Sequence, residues 1–371
     1  MSFDARDHAF MARALRLAER GAWTTRPNPM VGCVIARDGE VLGEGWHVQA
    51  GGPHAEVHAL QAAGHAVRGA TAYVSLEPCA HHGRTPPCTD ALVAAGIARV
   101  VVATGDPFVH VDGAGIATLR AAGLKVETGL MEAEARALNR GFFSRVGRGR
   151  PWVRVKLAMS LDGRTALADG RSQWITSEAA RQDVARFRAR AGALLTGIET
   201  VLADDPRLTV RLGAAGSSVQ QRFLPPLRVV LDSSARLPPF CELMGDRSAP
   251  LLWLTRGDAS VPAGLPPHVE HATVPASGER GVDLPAVLHL LAARGINEVQ
   301  VEAGATLSGT LLRAGLVDEL LVYMAPVLLG AGARPLFDGL DVATMADRIG
   351  LRLLDSRRIG DDLRLRFAVP D

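Results

Sequence analysis

The sequence runs through one pattern twice, with a single break between the two runs. Short apolar segments that suit β-strands alternate with segments of helical spacing, first over residues 4–122 and again from residue 152 onward. The break, residues 147–151, reads Gly-Arg-Gly-Arg-Pro. A chain of 371 residues also exceeds what one ordinary core supports. We therefore predict two α/β domains, residues 1–148 and residues 151–371.

The first run predicts a three-layer α/β domain. It opens with a helix over residues 4–20, followed by a hairpin whose strands, 31–36 and 41–46, meet at an Asp38-Gly39 turn. A second helix begins at His54 and ends near Gly64. The other predicted elements are strands at 71–76 and 99–104 and helices at 89–95 and 116–122. Strands that alternate with helices place those helices on the faces of a sheet.

The second run predicts another α/β domain. Its predicted strands are 152–157, 194–197, 227–232, 251–255, 299–302 and 319–325. Its predicted helices are 177–190, 284–293 and 307–314. Residues 212–226 and 256–282 are rich in Gly, Pro, Ser and Gln, so we expect loops there.

The composition narrows the classes of function. Lysine and arginine total 41 against 39 acidic residues, which gives a net charge of +2, and aromatic residues make up 5%. This balance argues against a nucleic-acid groove or a membrane-surface patch, while leaving room for a basic pocket that holds one phosphate. The chain has no apolar run of membrane-spanning length and no signal-peptide pattern. We expect a cytoplasmic protein without nucleic-acid or membrane partners.

Three short stretches of the first run carry metal-ligand chemistry. They are Pro-His-Ala-Glu at 53–56, Glu-Pro-Cys at 77–79 and Pro-Cys at 87–88. The imidazole of His54 and the thiolates of Cys79 and Cys88 suit zinc, with a fourth position left for water. Zinc lowers the pKa of such a water to about 7. Glu56 lies two residues after His54, where a carboxylate can move the proton of that water without ligating the metal.

The same residues have plainer interpretations. A lone cysteine usually belongs to a core, and Cys79 and Cys88 stand nine positions apart rather than three. Cys88 falls just before a predicted helix, whose positive end favours a thiolate and so supports the metal interpretation. We assign Cys33 and Cys241 to structural roles. We assign His58 to packing, because a fourth protein ligand would leave no place for water.

One turn of the second run suits a phosphate. A predicted buried strand ends at Glu302, Gly304 follows and a helix begins, so backbone N–H groups at the helix start suit a pyrophosphate. Many such turns bind nothing. The stretch is not GxGxxG, so a Rossmann domain is not implied.

The linked motifs of the first run resemble one family of zinc deaminases. The general signature is His-x-Glu followed by Pro-Cys-x-x-Cys. Here its second half is stretched to Pro-Cys-Ala-His-His-Gly-Arg-Thr-Pro-Pro-Cys at 78–88. With Thr-Thr-Arg-Pro-Asn-Pro-Met-Val-Gly at 24–32 and Pro-His-Ala-Glu-Val-His-Ala-Leu at 53–60, this resembles the bifunctional diaminohydroxyphosphoribosylaminopyrimidine deaminase / aminophosphoribosylaminouracil reductase family of riboflavin biosynthesis. The resemblance implies a cytidine-deaminase-like first domain.

The resemblance also implies roles for residues of the first domain. Zn²⁺ would be held by His54, Cys79 and Cys88, with Glu56 as the catalytic proton shuttle. Asn28 would orient the pyrimidine. The residues near the phosphoribosyl arm would be His81, His82, Arg84 and Thr85. The family often shows Asp-Pro-Asn-Pro after the fifth strand, where this chain reads Asp-Pro-Phe-Val at 106–109.

Four stretches of the second run, 156–164, 172–176, 196–211 and 302–307, resemble the reductase half of the same family. The resemblance then covers nearly the whole chain, and it implies a dihydrofolate-reductase-like fold that uses NADPH. The implied cofactor-binding residues are Ala158, Trp174, Thr200, Ser233, Gly304, Ala305, Thr306, Leu307, Ser308, Gly309 and Thr310. The implied substrate-binding residues are Lys156, Ser172, Arg188, Asp204, Leu208, Arg211 and Glu302.

Several roles in the second domain stay open at this point. Arg188 and Arg211 have the chemistry of phosphate forks, but the plainer interpretations are a solvated helix face and a loop charge. The cofactor would supply the hydride, and the proton that accompanies it would come from Lys156 or Asp204.

The resemblance implies an enzyme that acts twice on one phosphoribosyl pyrimidine, first by hydrolytic deamination and then by reduction of the ribosyl arm to ribityl. One alternative is a nucleoside or nucleic-acid deaminase with an accessory domain. Another is a structural zinc domain on a binding module, against which Glu56 argues because a closed site has no use for an unpaired carboxylate. A homodimer and a homotetramer are the assemblies we consider.

Overall fold

The computed structural model describes residues 3–82, 86–108, 111–212, 223–278 and 281–370. The chain forms two compact units that divide between Gly149 and Arg150. This division falls in the predicted glycine- and arginine-rich break. Among the described residues, no helix combines the length and the apolar character needed to cross a bilayer.

The first unit is a five-stranded sheet with helices on both faces. Its strands are β1 (Gly32–Arg37), β2 (Glu40–Trp46), β3 (Thr71–Val74), β4 (Arg99–Val102) and β5 (Lys125–Thr128). Its helices are α1 (Ala5–Glu19), α2 (Ala55–Ala63), α3 (Cys88–Ala94), α4 (Ala114–Ala121), α5 (Glu132–Leu138) and α6 (Arg140–Arg148), with a 3₁₀ turn at Gly64–Val67. The sheet order is β2-β1-β3-β4-β5, and β3, β4 and β5 are parallel.

The predicted hairpin is confirmed at its turn. Arg37 pairs with Glu40, so Asp38 and Gly39 form a two-residue loop. Both loop residues have positive φ, 54° and 88°. Asp-Gly is favoured there because a two-residue turn that matches the twist of the strands needs this conformation.

Side chains along the strands alternate between two apolar cores. Val34 and Tyr73 face α1 and α5, whereas Ile35 and Val74 face α2, α3 and α4. Because successive strand residues point to opposite faces, this alternation gives the three layers predicted from the sequence. Cys33 is fully buried in the second core, as its predicted structural role requires.

The second unit is built on a nine-stranded sheet. Its strands are β6 (Trp152–Ser160), β8 (Ala193–Gly197), β9 (Leu227–Leu231), β10 (Leu251–Arg256), β11 (Val269–Val274), β14 (Glu298–Val301), β15 (Glu319–Ala325), β17 (Arg352–Ile359) and β18 (Asp362–Ala368). Short pairs are formed by β7 (Arg164–Ala166) with β16 (Arg334–Pro335) and by β12 (Ala276–Ser277) with β13 (Gly281–Val282). The helices are α7 (Glu178–Arg190), α8 (Ile198–Asp204), α9 (Glu242–Gly245), α10 (Leu284–Ala293) and α11 (Ala305–Arg313), with a 3₁₀ turn at Met345–Asp347.

The order of this sheet is β11-β10-β9-β8-β14-β6-β15-β18-β17. The first seven strands in this order, from β11 to β15, are parallel to one another. Strand β18 then pairs antiparallel with β15, and β17 pairs antiparallel with β18. One face packs on α10 and α11, and the other on α7, α8 and α9. The parallel strands all end at one edge of the sheet, which is where ligands bind in open α/β sheets. Cys241 is buried in the core under α8 and α9, in line with its predicted structural role.

The sequence prediction was wrong in one respect and incomplete in another. The predicted loop at 256–282 contains β11, which was missed because only three residues of Val269–Val274 are apolar and the segment lies among glycines and prolines. The elements not predicted from the sequence include β5, α5, α6, α8 and the hairpin of β17 and β18. Part of the other predicted loop, 213–222, lies outside the described residues.

The break between the units is shorter than predicted, because α6 continues through Arg148. Arg150, the first residue of the second unit, is not a solvated linker charge. Its guanidinium donates to both carboxylate oxygens of Asp318, at 2.7 and 2.9 Å. This bidentate pair, only 14% and 4% exposed at its side chains, anchors the start of the second unit to its own sheet.

Candidate active sites

The three predicted zinc ligands meet at one point of the first unit. The Nδ1 of His54 lies 3.2 Å from the Sγ of Cys88 and 3.5 Å from the Sγ of Cys79. All three donor atoms lie within 4.8 Å of one another. Two ligands at ordinary Zn–N and Zn–S distances are separated by a tetrahedral edge of about 3.6 Å. The residues present therefore fit zinc in type and in spacing.

Local structure explains this convergence. His54 is the N-cap residue of α2, Cys88 is the first residue of α3, and Cys79 follows the end of β3. Helix α2 sits directly on β2, because a Cβ on Gly45 would lie 2.3 Å from the carbonyl oxygen of Ala55. Glycine at this position allows the close approach that brings the start of α2 over the sheet.

The two thiols shift each other's pKa in opposite directions. The Cys88 thiol and the Cys88 backbone N–H point at the sulfur of Cys79, and with His54 they lower the pKa of Cys79 to about 4. The same interaction, together with burial, raises the pKa of Cys88. Hydrogen bonding to Cys79 also raises the pKa of His54. Cys79 is thus the more acidic thiol of the pair, and zinc binding would require both thiols to lose their protons.

Glu56 lies in the first turn of α2 and is 2% exposed. Its Oε2 has no hydrogen-bond partner among the described residues, and burial raises the pKa of the carboxyl. A buried carboxylate oxygen without a partner is expensive in a core, which indicates that a ligand completes its surroundings. This is the arrangement expected of a proton carrier beside an open metal position.

The structure adds a residue that the sequence analysis missed. His47, 3% exposed, receives the side-chain amide of Asn28 at its Nε2 across 3.1 Å. Its other nitrogen, Nδ1, lies 3.1 Å from the carbonyl oxygen of Pro53 and therefore carries the proton. His47 thereby orients the amide of Asn28, and the His47 ring also contacts the His54 ring edge-on, with 5.3 Å between the ring centroids. No motif pointed to His47; only its position between Asn28 and His54 reveals the contact.

The predicted phosphoribosyl contacts are described only in part. His81 and His82 are exposed in the segment after Cys79. Arg84 and Thr85 lie outside the described residues. Nearby, burial raises the pKa of Asp106 to about 6, and the charges of Glu77 and Cys79 add to this shift.

In the second unit, four of the residues predicted to bind cofactor or substrate lie at or just beyond the carboxyl ends of parallel strands. Ala158 lies on β6, Thr200 on α8 after β8, Ser233 after β9, and Glu302 after β14. Because these strands are parallel neighbours, the sequence positions converge on one edge of the sheet.

A charged cluster lies at this edge. The Nε and Nη2 of Arg188 each donate to Glu302 at 2.7 Å, and its Nη1 donates to the carbonyl oxygen of Thr209 at 2.9 Å. Burial opposes ionisation of Glu302, but Arg188 and Lys156 lower its pKa to about 2. Burial and the charge of Arg188 lower the pKa of Lys156. Arg188 is therefore a paired, largely buried group, and the solvated-face interpretation was wrong.

The other predicted residues of this unit are more dispersed. Arg211 and Asp204 are exposed, Ser172 is half-buried, and Leu208 is buried with a φ of 49°. Trp174 is 70% exposed, with the guanidinium of Arg181 4.5 Å from its ring centroid.

Helix α11 begins at Gly304, which has extended backbone and no side-chain cap, so the first N–H groups of the helix are available to an anion. Ala305, Thr306, Leu307 and Thr310 are partly or fully accessible, whereas Ser308 and Gly309 are buried. A Cβ on Gly309 would lie 2.1 Å from the carbonyl oxygen of Asp338, so Gly309 packs on the neighbouring chain segment.

The chain matches two family descriptions. Residues 4–104 match the cytidine and deoxycytidylate deaminase zinc-binding region. Residues 151–365, more than half of the chain, match the RibD C-terminal domain. The first match contains all three predicted zinc ligands and Glu56, and the second contains the charged cluster at the sheet edge.

Whole-length relatives are similar as well. The riboflavin biosynthesis protein RibD of Escherichia coli is 48% identical, covering 97% of this chain and 99% of that protein. That of Haemophilus influenzae is 44% identical, covering 99% and 98%. Among solved structures, RibD of Acinetobacter baumannii has a TM-score of 0.88 at 43% identity and covers 99% of both chains. A diaminohydroxyphosphoribosylaminopyrimidine deaminase/5-amino-6-(5-phosphoribosylamino)uracil reductase of Thermotoga maritima has a TM-score of 0.86 at 32% identity, covering 98% and 99%.

Proposed function

The chain belongs to the family of bifunctional riboflavin biosynthesis proteins, and from that premise we propose how its residues divide the work. It is an enzyme with deaminase and reductase activities, a cytidine-deaminase-like first domain and a dihydrofolate-reductase-like second domain. The proposed substrate is a diaminohydroxyphosphoribosylaminopyrimidine. The first unit replaces its 2-amino group with oxygen and releases ammonia, and the second reduces the ribosyl arm to ribityl.

In the first reaction, Glu56 is the proposed proton carrier. His54, Cys79 and Cys88 would hold zinc, which when bound would supply a water activated for attack at neutral pH. Glu56 carries one proton of that water to the ring nitrogen, and then carries the second proton, from the hydroxyl newly formed on the ring carbon, to the amine that departs as ammonia. Burial of Glu56 supports this role, since a raised pKa favours the protonated form that must act as the acid.

Asn28 is the proposed anchor of the pyrimidine. Because its Nδ2 donates to His47, its Oδ1 is left to accept a hydrogen bond from the ring or from an exocyclic amine. His47 is in turn fixed by the carbonyl oxygen of Pro53, so the amide is oriented before substrate arrives. Such orientation raises the rate by holding the substrate in a reactive position.

In the second reaction, NADPH is the proposed cofactor and supplies the hydride. Lys156 is the proposed proton source, because a buried lysine with a lowered pKa gives up its proton more readily than an ordinary one. Glu302 and Arg188 are the members of the cluster that we propose bind the substrate. The start of α11 is the proposed site for the cofactor pyrophosphate. A homodimer or homotetramer and a cytoplasmic location stay predictions.

One observation carries this proposal: three donors at tetrahedral spacing beside a buried carboxylate whose Oε2 has no hydrogen-bond partner among the described residues. The test is a mass spectrum of the product made with NADPH, with NADH and with neither. Without a nicotinamide cofactor, we expect a product in which the amine has become a carbonyl, together with one ammonia released. With NADPH, two hydrogens are added. Unchanged substrate mass in all three arms, from zinc-loaded protein, would refute the proposal.

A further inference from the structure

Glu77 lies two residues before Cys79 and has no part in the chemistry above. It is 5% exposed, and its carboxylate accepts three backbone N–H groups. The Oε2 accepts from Asp106 at 3.2 Å and from Gly113 at 3.1 Å, and the Oε1 accepts from Ile116 at 3.1 Å. One buried side chain therefore joins the turn before Cys79 to the loop after β4 and to the start of α4.

Helix α4 depends on this carboxylate for its N-terminus. The N-cap residue of α4 is Gly113, which has a φ of 85° and no side chain with which to cap the helix. The first N–H groups of a helix need acceptors, and an anion is favoured at that end of the helix dipole. The carboxylate of Glu77, from a distant part of the sequence, supplies both the hydrogen-bond acceptors and the negative charge.

The peptide between Glu77 and Cys79 is held against the same helix. A Cβ on Gly115 would lie 1.9 Å from the carbonyl oxygen of Pro78, so the first turn of α4 rests directly on this peptide. The Glu77 N–H donates to the carbonyl oxygen of Thr104 at 3.0 Å. The turn that presents Cys79 is thus fixed at its backbone and through the Glu77 side chain.

We propose that Glu77 is a positioning residue of the zinc site: its carboxylate locks the Pro78–Cys79 turn onto the start of α4 and thereby sets the Cys79 sulfur at tetrahedral spacing from His54. This inference rests on the proposed function. Replacing a residue that orients a metal ligand without contacting the metal typically lowers metal affinity by about 10- to 100-fold. Glu77→Gln keeps the shape but turns one acceptor oxygen into a donor that faces backbone N–H groups.

The test measures zinc affinity by chelator competition and the visible spectrum of the cobalt(II)-substituted full-length protein. Glu127→Gln is the matched control, because Glu127 is a buried carboxylate of the same unit that pairs with Arg99 at 2.6 Å and Lys125 at 3.2 Å. We expect Glu77→Gln to weaken zinc binding by about 10- to 100-fold. We also expect it to shift or weaken the thiolate-to-cobalt absorption. Glu127→Gln should leave both unchanged.

Further arms keep the test decisive. If Glu77→Gln does not fold, Glu77→Asp, which keeps the charge but shortens the reach, should weaken zinc binding in the same direction. The reductase rate of each variant monitors the rest of the chain. Wild-type zinc affinity and cobalt spectra in folded Glu77→Gln or Glu77→Asp would overturn the inference. Wild-type protein that binds no zinc would instead refute the proposed function.

Discussion

In the first unit the donor atoms of the three predicted zinc ligands lie within 4.8 Å of one another, whereas in the second the predicted contacts are spread along the ends of several parallel strands. The first arrangement is compact because a metal needs a few donors at fixed distances. The second is extended because a dinucleotide is long and is held largely by backbone groups and loops. Substitutions should therefore act steeply and selectively in the first unit and more gradually in the second.

Loss of a metal ligand should give the largest effect. Cys88→Ser removes one thiolate from a three-ligand site, so we expect most zinc to be lost and deamination to become undetectable. Elemental analysis and an ammonia-release assay measure this. Cys33→Ala, at the fully buried cysteine of the same sheet, should keep its zinc. Full zinc retention in Cys88→Ser would remove Cys88 from the ligand set.

Loss of the proton carrier should leave the metal in place. We expect Glu56→Gln to keep one zinc per chain and to slow deamination by a factor on the order of 10²–10⁴, the contribution typical of a general acid–base. Ammonia release and zinc content are measured on the same sample. A near-normal rate would exclude Glu56 from the reaction.

Substitution of Lys156 should affect the second reaction alone. We expect Lys156→Gln to slow reduction by about 10²-fold, as for a lost general acid, with deamination unaffected. A general acid must be protonated, so the wild-type rate should fall as pH rises through the lysine pKa. Burial lowers the pKa of Lys156, which places that fall below the pH range of an ordinary lysine. Asp204→Asn is the control; if it removes the alkaline limb and Lys156→Gln does not, the proton source is Asp204.

A smaller effect is expected at Asn28. Asn28→Ala removes one oriented hydrogen bond to the pyrimidine, worth about 1 kcal/mol, so kcat/KM for deamination should fall by about 5- to 10-fold. His47→Phe should move the same parameter in the same direction, since it releases the amide. Zinc content should be unchanged in both. An unaltered kcat/KM in Asn28→Ala would show that the ring is held elsewhere.

The difference between the compact first site and the extended second site also explains which residues could be predicted from the sequence. Short motifs with chemically rare side chains could be recognised from the sequence alone, and they contain His54, Glu56, Cys79 and Cys88. The Asn28–His47 contact could not, because it depends on how the turn before β1 meets the end of β2. Glu77 was visible only as a neighbour of Cys79, since its partners are backbone N–H groups that carry no sequence signal.

The second unit was harder to predict for physical reasons. Its parallel strands could be recognised as apolar runs, since they are buried on both faces. Strand β11 lies at the edge of the sheet and has only three apolar residues, and its glycine- and proline-rich flanks made it resemble a loop. The pairing of Arg188 with Glu302 joins residues 114 positions apart, which periodicity does not reveal.

The central claim is that the two sites share no chemical group, and the full-length Glu56→Gln protein tests it most directly. The measurement follows NADPH absorbance after addition of the deaminated intermediate, with zinc content and folding verified on the same sample. Because Glu56 lies in the first unit and the cluster of Lys156, Arg188 and Glu302 lies in the second, we predict oxidation of NADPH at the wild-type rate. Failure of the folded, zinc-loaded variant to consume NADPH would contradict the account.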